Sequence, residues 1–162
     1  MDSGIAKLVE HLIAARRQGD IGHLITQVRV LDDKSRQEAL SLAWRRMQET
    51  QGQDQEEALD VGRMIVGDAP TSFLNEVLIA PFPDDLKIHA CWLLEGWGDA
   101  SSLLALQQLL HSPAGSSVKQ AALLPLAMIK DVSVDDVLLE ATLDDDEAVT
   151  ELARELLEER RR

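Results

Sequence analysis

The stretch 92-WLLEGWGDASSLLALQQLL-110 contains the feature that decides the fold, a Gly-Asp pair between two leucine-rich runs. Gly67-Asp68 and Gly19-Asp20 stand in the same setting, and Lys130-Asp131 takes the place of the pair farther along the chain. Asp68 and Asp99 are 31 residues apart, and Asp99 and Asp131 are 32 apart. Recurrence at this spacing is the sequence signature of a repeat architecture.

The residues before each pair have the periodicity of an amphipathic helix. Apolar residues recur at i, i+4, i+7, i+8 and i+11 in one copy: Leu86, Ala90, Leu93, Leu94 and Trp97. The next copy repeats the stripe with Val118, Ala122, Leu126 and Ile129. This pattern predicts one buried face on each helix, with Trp97 in the core and alanine allowing a close helix neighbour.

The Gly-Asp pair itself predicts a tight corner between two antiparallel helices. Gly98 fits the left-handed position that ends a helix, and Asp99 fits the N-cap of the next one. Two residues depart from this pattern. Lys130 replaces the corner glycine, so that corner must close differently, and Pro125 should bend or locally break its helix.

Two antiparallel helices per ~31 residues, with V-R/K-x-x-A-x-x-x-L in the first and G-D-x-x-x-L-x-x-L opening the second, resemble the HEAT-repeat family. The closest likeness is to the short HEAT-like repeats found in bilin-lyase proteins. One copy carries the pattern at Leu86-Lys87, Ala90, Leu94, Gly98-Asp99, Leu103 and Leu106, and the next at Val118-Lys119, Ala122, Leu126, Asp131, Leu138 and Ala141. The resemblance covers residues 55–160. It implies an all-α, right-handed α-solenoid of about five helical hairpins, and such folds mostly bind other proteins.

The length of 162 residues suits a single domain spanning 1–162. We expect irregular N-terminal repeats over 1–54 and regular repeats over 55–162, the latter ending in an acidic cap. The longest apolar runs fall far short of the ~20 residues that cross a bilayer. The N-terminus lacks the order of a signal peptide, and the single cysteine excludes an internal disulfide. These features predict a cytoplasmic protein without a membrane partner; they leave its oligomeric state open.

The charge balance limits the class of partner. The net charge is −13, and residues 131–159 hold twelve acidic residues against one basic residue. A nucleic-acid-binding protein needs a basic face, so DNA and RNA are not expected partners. A basic protein is the partner that this balance favours.

Two groups of residues are candidates for partner binding. The first is the acidic stripe, which we define as Glu151, Glu155, Glu158 and Glu159, at i, i+4, i+7 and i+8 of the last predicted helix. It is either the polar outer face of a terminal repeat or a docking surface for a basic protein. The second group is His89, Trp92 and Glu95, on the flank of their helix. Trp92 is either an exposed interface anchor or buried between neighbouring repeats.

Residue patterns for catalysis and metal binding are missing from the sequence. The four histidines are dispersed, and His89 and Cys91 are two residues apart, so on a helix they point in different directions. The run LDDDE at 143–147 lacks the alternating spacing of a calcium loop and fits an N-cap with first-turn acids. Cys91 fits a small core residue. We therefore predict no metal, no cofactor and no catalytic residues.

The sequence thus predicts a non-enzymatic protein–protein interaction module that binds a basic protein. An adaptor, an escort and an immunity protein that neutralises a cationic toxin all fit this description. The alternatives are an enzyme subunit of the HEAT-like bilin-lyase type, which would need a chromophore-sized cleft, and a scaffold piece of a larger assembly.

Overall fold

The structure is a computed structural model that describes residues 3–19 and 21–162. Within these residues all regular structure is helical, which confirms the all-α prediction. The ten α-helices found there are α1 (Ser3–Gln18), α2 (Gly22–Arg29), α3 (Asp33–Glu49), α4 (Gln53–Val66), α5 (Thr71–Ile79), α6 (Asp84–Leu94), α7 (Leu103–His111), α8 (Ser116–Met128), α9 (Ser133–Ala141) and α10 (Glu147–Arg160). A short 3₁₀ helix, Ala100–Ser102, precedes α7.

The chain divides into two compact units, residues 1–73 and residues 74–162, with the division inside α5. The single domain over 1–162, with irregular repeats to residue 54, stays a prediction. Of the predicted corners, the one at Gly19-Asp20 includes Asp20, which lies outside the described residues.

The first unit is organised around α4, which packs against α1, α2 and α3. Its core is aliphatic and includes Leu12, Met47, Leu59 and Ile65. Gly62 lets α5 approach α4 closely, because a β-carbon at this position would lie 2.3 Å from the Phe73 ring. The Phe73 ring in turn meets the half-buried Trp44 edge to face, with 6.0 Å between ring centroids.

The second unit is organised around α8, which packs against α6, α7, α9 and α10. Ala90, Ala122 and Ala153 occupy the same repeat position on α6, α8 and α10, and all three are fully buried. Their small side chains let the three helices pack closely, as the repeat pattern predicted. Larger buried residues on either side, such as Leu86, Leu94 and Leu126, complete the core.

The Gly-Asp corners close in two ways. Gly67 ends α4 with a φ of 85°, the left-handed conformation that favours glycine. The same prediction is wrong for Gly98, whose φ is not positive. Gly98 is needed there for space, because its N–H donates to the Leu94 carbonyl oxygen at 2.6 Å and a β-carbon would lie 3.0 Å from that oxygen. The predicted N-cap is confirmed: the Asp99 carboxylate accepts a hydrogen bond from a backbone N–H at 2.8 Å, at Ser101.

Two further predictions about helix interiors are wrong. Trp97 is 42% exposed and does not belong to the core, because α6 ends at Leu94 and the helical stripe does not continue to position 97. Of the two effects predicted for Pro125, the local break is wrong, since α8 continues to Met128, and the bend stays a prediction. The proline ring fixes φ near the helical value and removes only its own N–H as a donor, so the backbone on either side of Pro125 remains helical.

The corner at Lys130 is closed by a side chain from α10. Ile129 is extended at the end of α8, which leaves carbonyl groups of this corner outside the helix. The Arg160 guanidinium supplies the missing donors. Its nitrogens donate to the carbonyl oxygens of Ala127 (2.6 Å), Ile129 (2.9 Å) and Asp131 (3.1 Å) and to Oδ1 of Asp135 (2.8 Å). A planar fork of donors therefore takes the place of the corner glycine.

Candidate functional site

The acidic stripe lies on α10, the last helix of the second unit. Asp146 begins this helix as its N-cap, with its carboxylate accepting from the Val149 N–H at 3.1 Å, as the LDDDE run predicted. Val149, Ala153 and Leu157 form the buried face of α10. The buried face leaves all four glutamates of the acidic stripe exposed to solvent. Within the described residues none of the four forms an ion pair, so their charges are open to a partner.

Trp92 is exposed on α6, with 56% of its surface accessible. The alternative that places it between neighbouring repeats is therefore wrong. The His89 ring lies against it edge to face, with 6.3 Å between ring centroids, and restricts the indole. Glu95, one turn farther along the chain, is half-buried. A large aromatic side chain held partly in place at the surface has the properties of an interface anchor.

The two predicted groups occupy matching positions in the repeat. Trp92 on α6, Leu124 on α8 and Glu155 on α10 are separated by 32 and 31 residues. The helices that carry them are neighbours, because α8 packs against both α6 and α10. Trp92 and the acidic stripe therefore belong to the same face of the second unit, which we call the first-helix face because these are the leading helices of each repeat.

A second exposed surface lies on the trailing helices α7 and α9, and the sequence analysis missed it. An open groove of ≈ 340 Å³ runs between the C-terminal ends of these helices; it is lined by Leu110, His111, Val137, Glu140, Ala141, Leu143 and Asp144. We call it the α7–α9 groove. A partial signal is the spacing of Asp136, Leu139 and Glu140 at i, i+3 and i+4 on α9, with Leu143 in the turn that follows the helix.

Charged side chains also form ion pairs inside the first unit, and no sequence pattern predicts these pairs. Glu57 is buried on α4, and its carboxylate accepts two hydrogen bonds from the Arg17 guanidinium at 2.9 and 3.2 Å. Gln53 donates a further bond to Glu57 at 3.0 Å. Arg16 forms a second bridge, at 2.8 Å, to the buried Asp60. These bonds attach α1 to α4, so the cluster is structural.

Cys91 is a buried core residue, as predicted. Burial raises the pKa of its thiol to about 12, so this sulfur is not an available nucleophile at neutral pH. In the part of the chain that the structure describes, no group of three or more His, Cys, Asp or Glu residues could hold a metal ion. Across the same residues, no helix combines the length and apolar character needed to cross a membrane.

Asp144 connects the end of the α7–α9 groove to α8. Its carboxylate accepts from Lys119 Nζ at 2.8 Å and from the Asp146 N–H at 2.9 Å. These bonds, the one from Lys119 first, lower the pKa of Asp144 below its ordinary value of 3.8. The folded state therefore holds this carboxylate in its charged form more strongly than the unfolded chain does.

This lowered pKa predicts an acid-dependent part of the stability. The contribution of Asp144 is present above pH 3.8 and is lost as pH falls through the lowered pKa. Asp144→Asn should lower Tm at neutral pH, and the difference from wild type should shrink as the pH is lowered. Thermal melts between about pH 7 and about pH 3 test this. A difference in Tm that stays constant down to the lowest pH would contradict it.

Comparison with known families gives one result that covers most of the second unit. The family model described as HEAT repeats matches residues 71–158, which is more than half of the chain. Neither the curated proteins nor the solved structures gave a match. The finer likeness to the repeats of bilin-lyase proteins stays a prediction. The matched residues contain the helix pairs α5 to α9 and nearly all of α10, and they agree with the α-solenoid class predicted from the repeat. The chain belongs to the HEAT-repeat family.

Proposed function

We propose that this protein is a non-enzymatic interaction module that binds a basic protein through the first-helix face of its second unit. HEAT repeats commonly mediate protein–protein interactions, which supports the general role. The observation that supports a basic partner is the acidic stripe. It places four exposed carboxylates on one helix, and none of them is neutralised by a cation among the described residues.

Electrostatics favours a binding role for this arrangement over a purely solvating one. Glu151, Glu155 and Glu158 are one helical turn apart, and like charges at this spacing repel each other and destabilise a helix slightly. A cationic partner would relieve that repulsion and would be steered toward the stripe during association. The second unit carries seventeen acidic residues against seven basic ones, so its long-range field has the same sign.

Trp92 supplies what the carboxylates lack, a large apolar contact. Charged contacts at a rim mainly affect association rate and specificity, whereas buried aromatic anchors contribute most of the binding free energy. Since Trp92 and Glu155 share a repeat position, one partner could cover both by lying across α6, α8 and α10. We assign His89 and Glu95 to the surroundings of this anchor and Glu159 to the edge of the stripe.

An adaptor, an escort and a toxin-neutralising immunity protein would all use such a surface, and the identity of the basic partner distinguishes them. The proposal includes a cytoplasmic location, where the one cysteine would remain reduced. The alternative, an enzyme subunit of the bilin-lyase type, would need a chromophore-sized cleft.

A charge-reversal variant tests this proposal. Glu151→Lys with Glu155→Lys should leave Tm nearly unchanged, because both side chains are exposed, and should abolish retention of the basic partner. The measurement is a pull-down from the native cell with washes at low and then high salt, in which bound proteins are identified by mass spectrometry. The wild type should retain a basic protein that elutes with salt.

The matched control carries the same change in net charge elsewhere. Asp33→Lys with Glu49→Lys alters two exposed acids on α3 of the first unit, so it separates the site from the overall charge. This control should retain the same protein as the wild type. Equal loss with both variants would show a net-charge effect, and equal retention by both would remove the acidic stripe from the binding surface.

A further inference from the structure

We propose that the α7–α9 groove is a docking site for a cationic amphipathic helix, with one apolar side chain of that helix seated in the groove. The inference rests on the proposed function, because it assigns a second contact to the same basic partner. It adds a surface on the trailing helices, which the first-helix face does not include. Three features of the groove support the proposal: its apolar lining, the charge around it and the spacing of the exposed residues beside it.

The floor and rim of the groove are apolar. Leu110, Val137 and Ala141 are buried at its floor, and Leu143 stands at its rim with 82% of its surface exposed. Leu139, one turn before Leu143, is exposed as well. A groove of ≈ 340 Å³ is at the small end of ligand sites and is sized for one large side chain. Covering the exposed leucines would gain about 25 cal/mol per Å² of apolar surface.

The negative charge around the groove favours a positively charged partner. Glu140 is at the rim and more than half exposed, and Asp136 and Asp145 beside it are exposed too. The polar groups beside these carboxylates are already engaged: His111 Nε2 lies 3.1 Å from Glu140, and Lys119 is bonded to Asp144. An acidic segment would therefore be repelled, while Lys or Arg side chains would meet carboxylates on α9.

The spacing on α9 indicates a helical partner. Asp136, Leu139 and Glu140 place acidic and apolar side chains within about one turn of α9. Leu143 follows in the turn after Ala141, where the helix ends. An amphipathic helix with aliphatic residues one turn apart and lysines beside them presents the complementary pattern. Laying such a helix into an apolar groove is a recurrent mode of peptide recognition. Leu104, exposed on α7, extends the apolar surface toward the start of that helix.

The test uses a synthetic peptide of about 15 residues, long enough to form a helix, with leucines on one face and lysines on the other. Binding to the full-length protein is followed by amide chemical shifts in NMR and by fluorescence anisotropy. We expect the largest shifts at the C-terminal ends of α7 and α9. A peptide with glutamate in place of every lysine should not bind.

A pair of variants distinguishes specific binding in the groove from nonspecific binding of the peptide to the protein surface. Leu143→Glu should weaken the affinity for the Leu/Lys peptide by about tenfold or more. Val132→Glu is the matched control, since Val132 is equally aliphatic, 90% exposed and not part of the groove lining. It should change the affinity by less than about twofold. Both positions are exposed, so circular dichroism should show unchanged helix content in both variants.

The possible results distinguish this proposal from the one on which it rests. Shifts confined to α10 would overturn the groove proposal and leave the acidic stripe as the binding surface. Equal binding of the glutamate peptide, or equal loss in the two variants, would overturn it as well. Absence of binding at both surfaces at low salt would overturn the groove proposal and count against the proposed function.

Discussion

Replacing Arg160 by alanine should lower the free energy of unfolding of the second unit by about 2–4 kcal/mol, the largest effect that we expect from a single charged residue of that unit. The side chain is only 20% exposed and donates to three carbonyl oxygens and one carboxylate. Each charge-assisted bond contributes about 1.5–3 kcal/mol, and bonds from one guanidinium do not add fully. For a unit of this size, thermal melts should show a decrease in Tm of about 8–30 °C.

Two further variants identify the cause of this effect. Arg160→Lys keeps the charge but not the planar fork, so it should lose most of the stability that alanine loses. Arg161→Ala removes an exposed charge from the next position and should leave Tm nearly unchanged. A lysine variant as stable as the wild type would mean that the charge alone matters and that the carbonyl contacts do not.

The same bonds have a consequence for binding. Arg160 joins the end of α10 to the corner between α8 and α9, so it holds the helix that carries the acidic stripe. Loss of Arg160 should therefore weaken partner binding even though the stripe itself is intact, because the stripe would be ordered only at an entropic cost.

Replacing Arg17 by leucine should lower the Tm of the first unit by several degrees. The Glu57 carboxylate is 7% exposed and would be left on α4 with the Gln53 amide as its remaining bonding partner among the interactions described above. Breaking a buried ion pair from one side is strongly destabilising, because the remaining charge stays out of water without its counter-ion. Arg17 itself is about half exposed, so the loss is expected to come mainly from Glu57.

The double variant Arg17→Leu with Glu57→Leu distinguishes the net contribution of the ion pair to stability from the cost of leaving one charge unpaired. Replacing a buried ion pair by apolar residues is often neutral or stabilising, so the double variant should recover much of the Tm that the single variant loses. Thermal unfolding of the wild type, both single variants and the double variant forms a double-mutant cycle, which gives the interaction energy between the two residues. A double variant less stable than Arg17→Leu would contradict this account of the cluster.

The repeat could be predicted from the sequence because its determinants are local. The 31- and 32-residue spacing, the helical stripes and the Asp99 cap each depend on residues close together in the chain. The features that the sequence does not predict are where helices end and which residues far apart in the chain contact each other. The stripe predicts Trp97 in the core only if the helix extends beyond Leu94, where α6 ends. The donors that close the Lys130 corner come from Arg160, some 30 residues later, and no local pattern indicates them.

The candidate surfaces show the same division. The glutamate spacing on α10 was sufficient to place the acidic stripe on one exposed face. Periodicity left Trp92 undecided, because a flank position on a repeat helix is buried or exposed according to the neighbouring helix. The α7–α9 groove required two helices from successive repeats to lie side by side. Arg17 and Glu57 are 40 residues apart in the sequence, so no local pattern predicts their contact. Burial of Glu57 on α4 is also unexpected, because glutamate is usually exposed.

The salt dependence of the affinity for the basic protein that the wild type retains tests whether the acidic face of the second unit is the binding surface. Isothermal titration at about 0.05 M and about 0.5 M salt compares a state of weak screening with one of strong screening. We expect Kd for the wild type to increase by at least about tenfold at the higher salt concentration. We also expect Glu151→Lys with Glu155→Lys to remove most binding at the lower salt concentration. A Kd that is independent of salt and unchanged in this variant would contradict the claim that the acidic face of the second unit binds a basic protein.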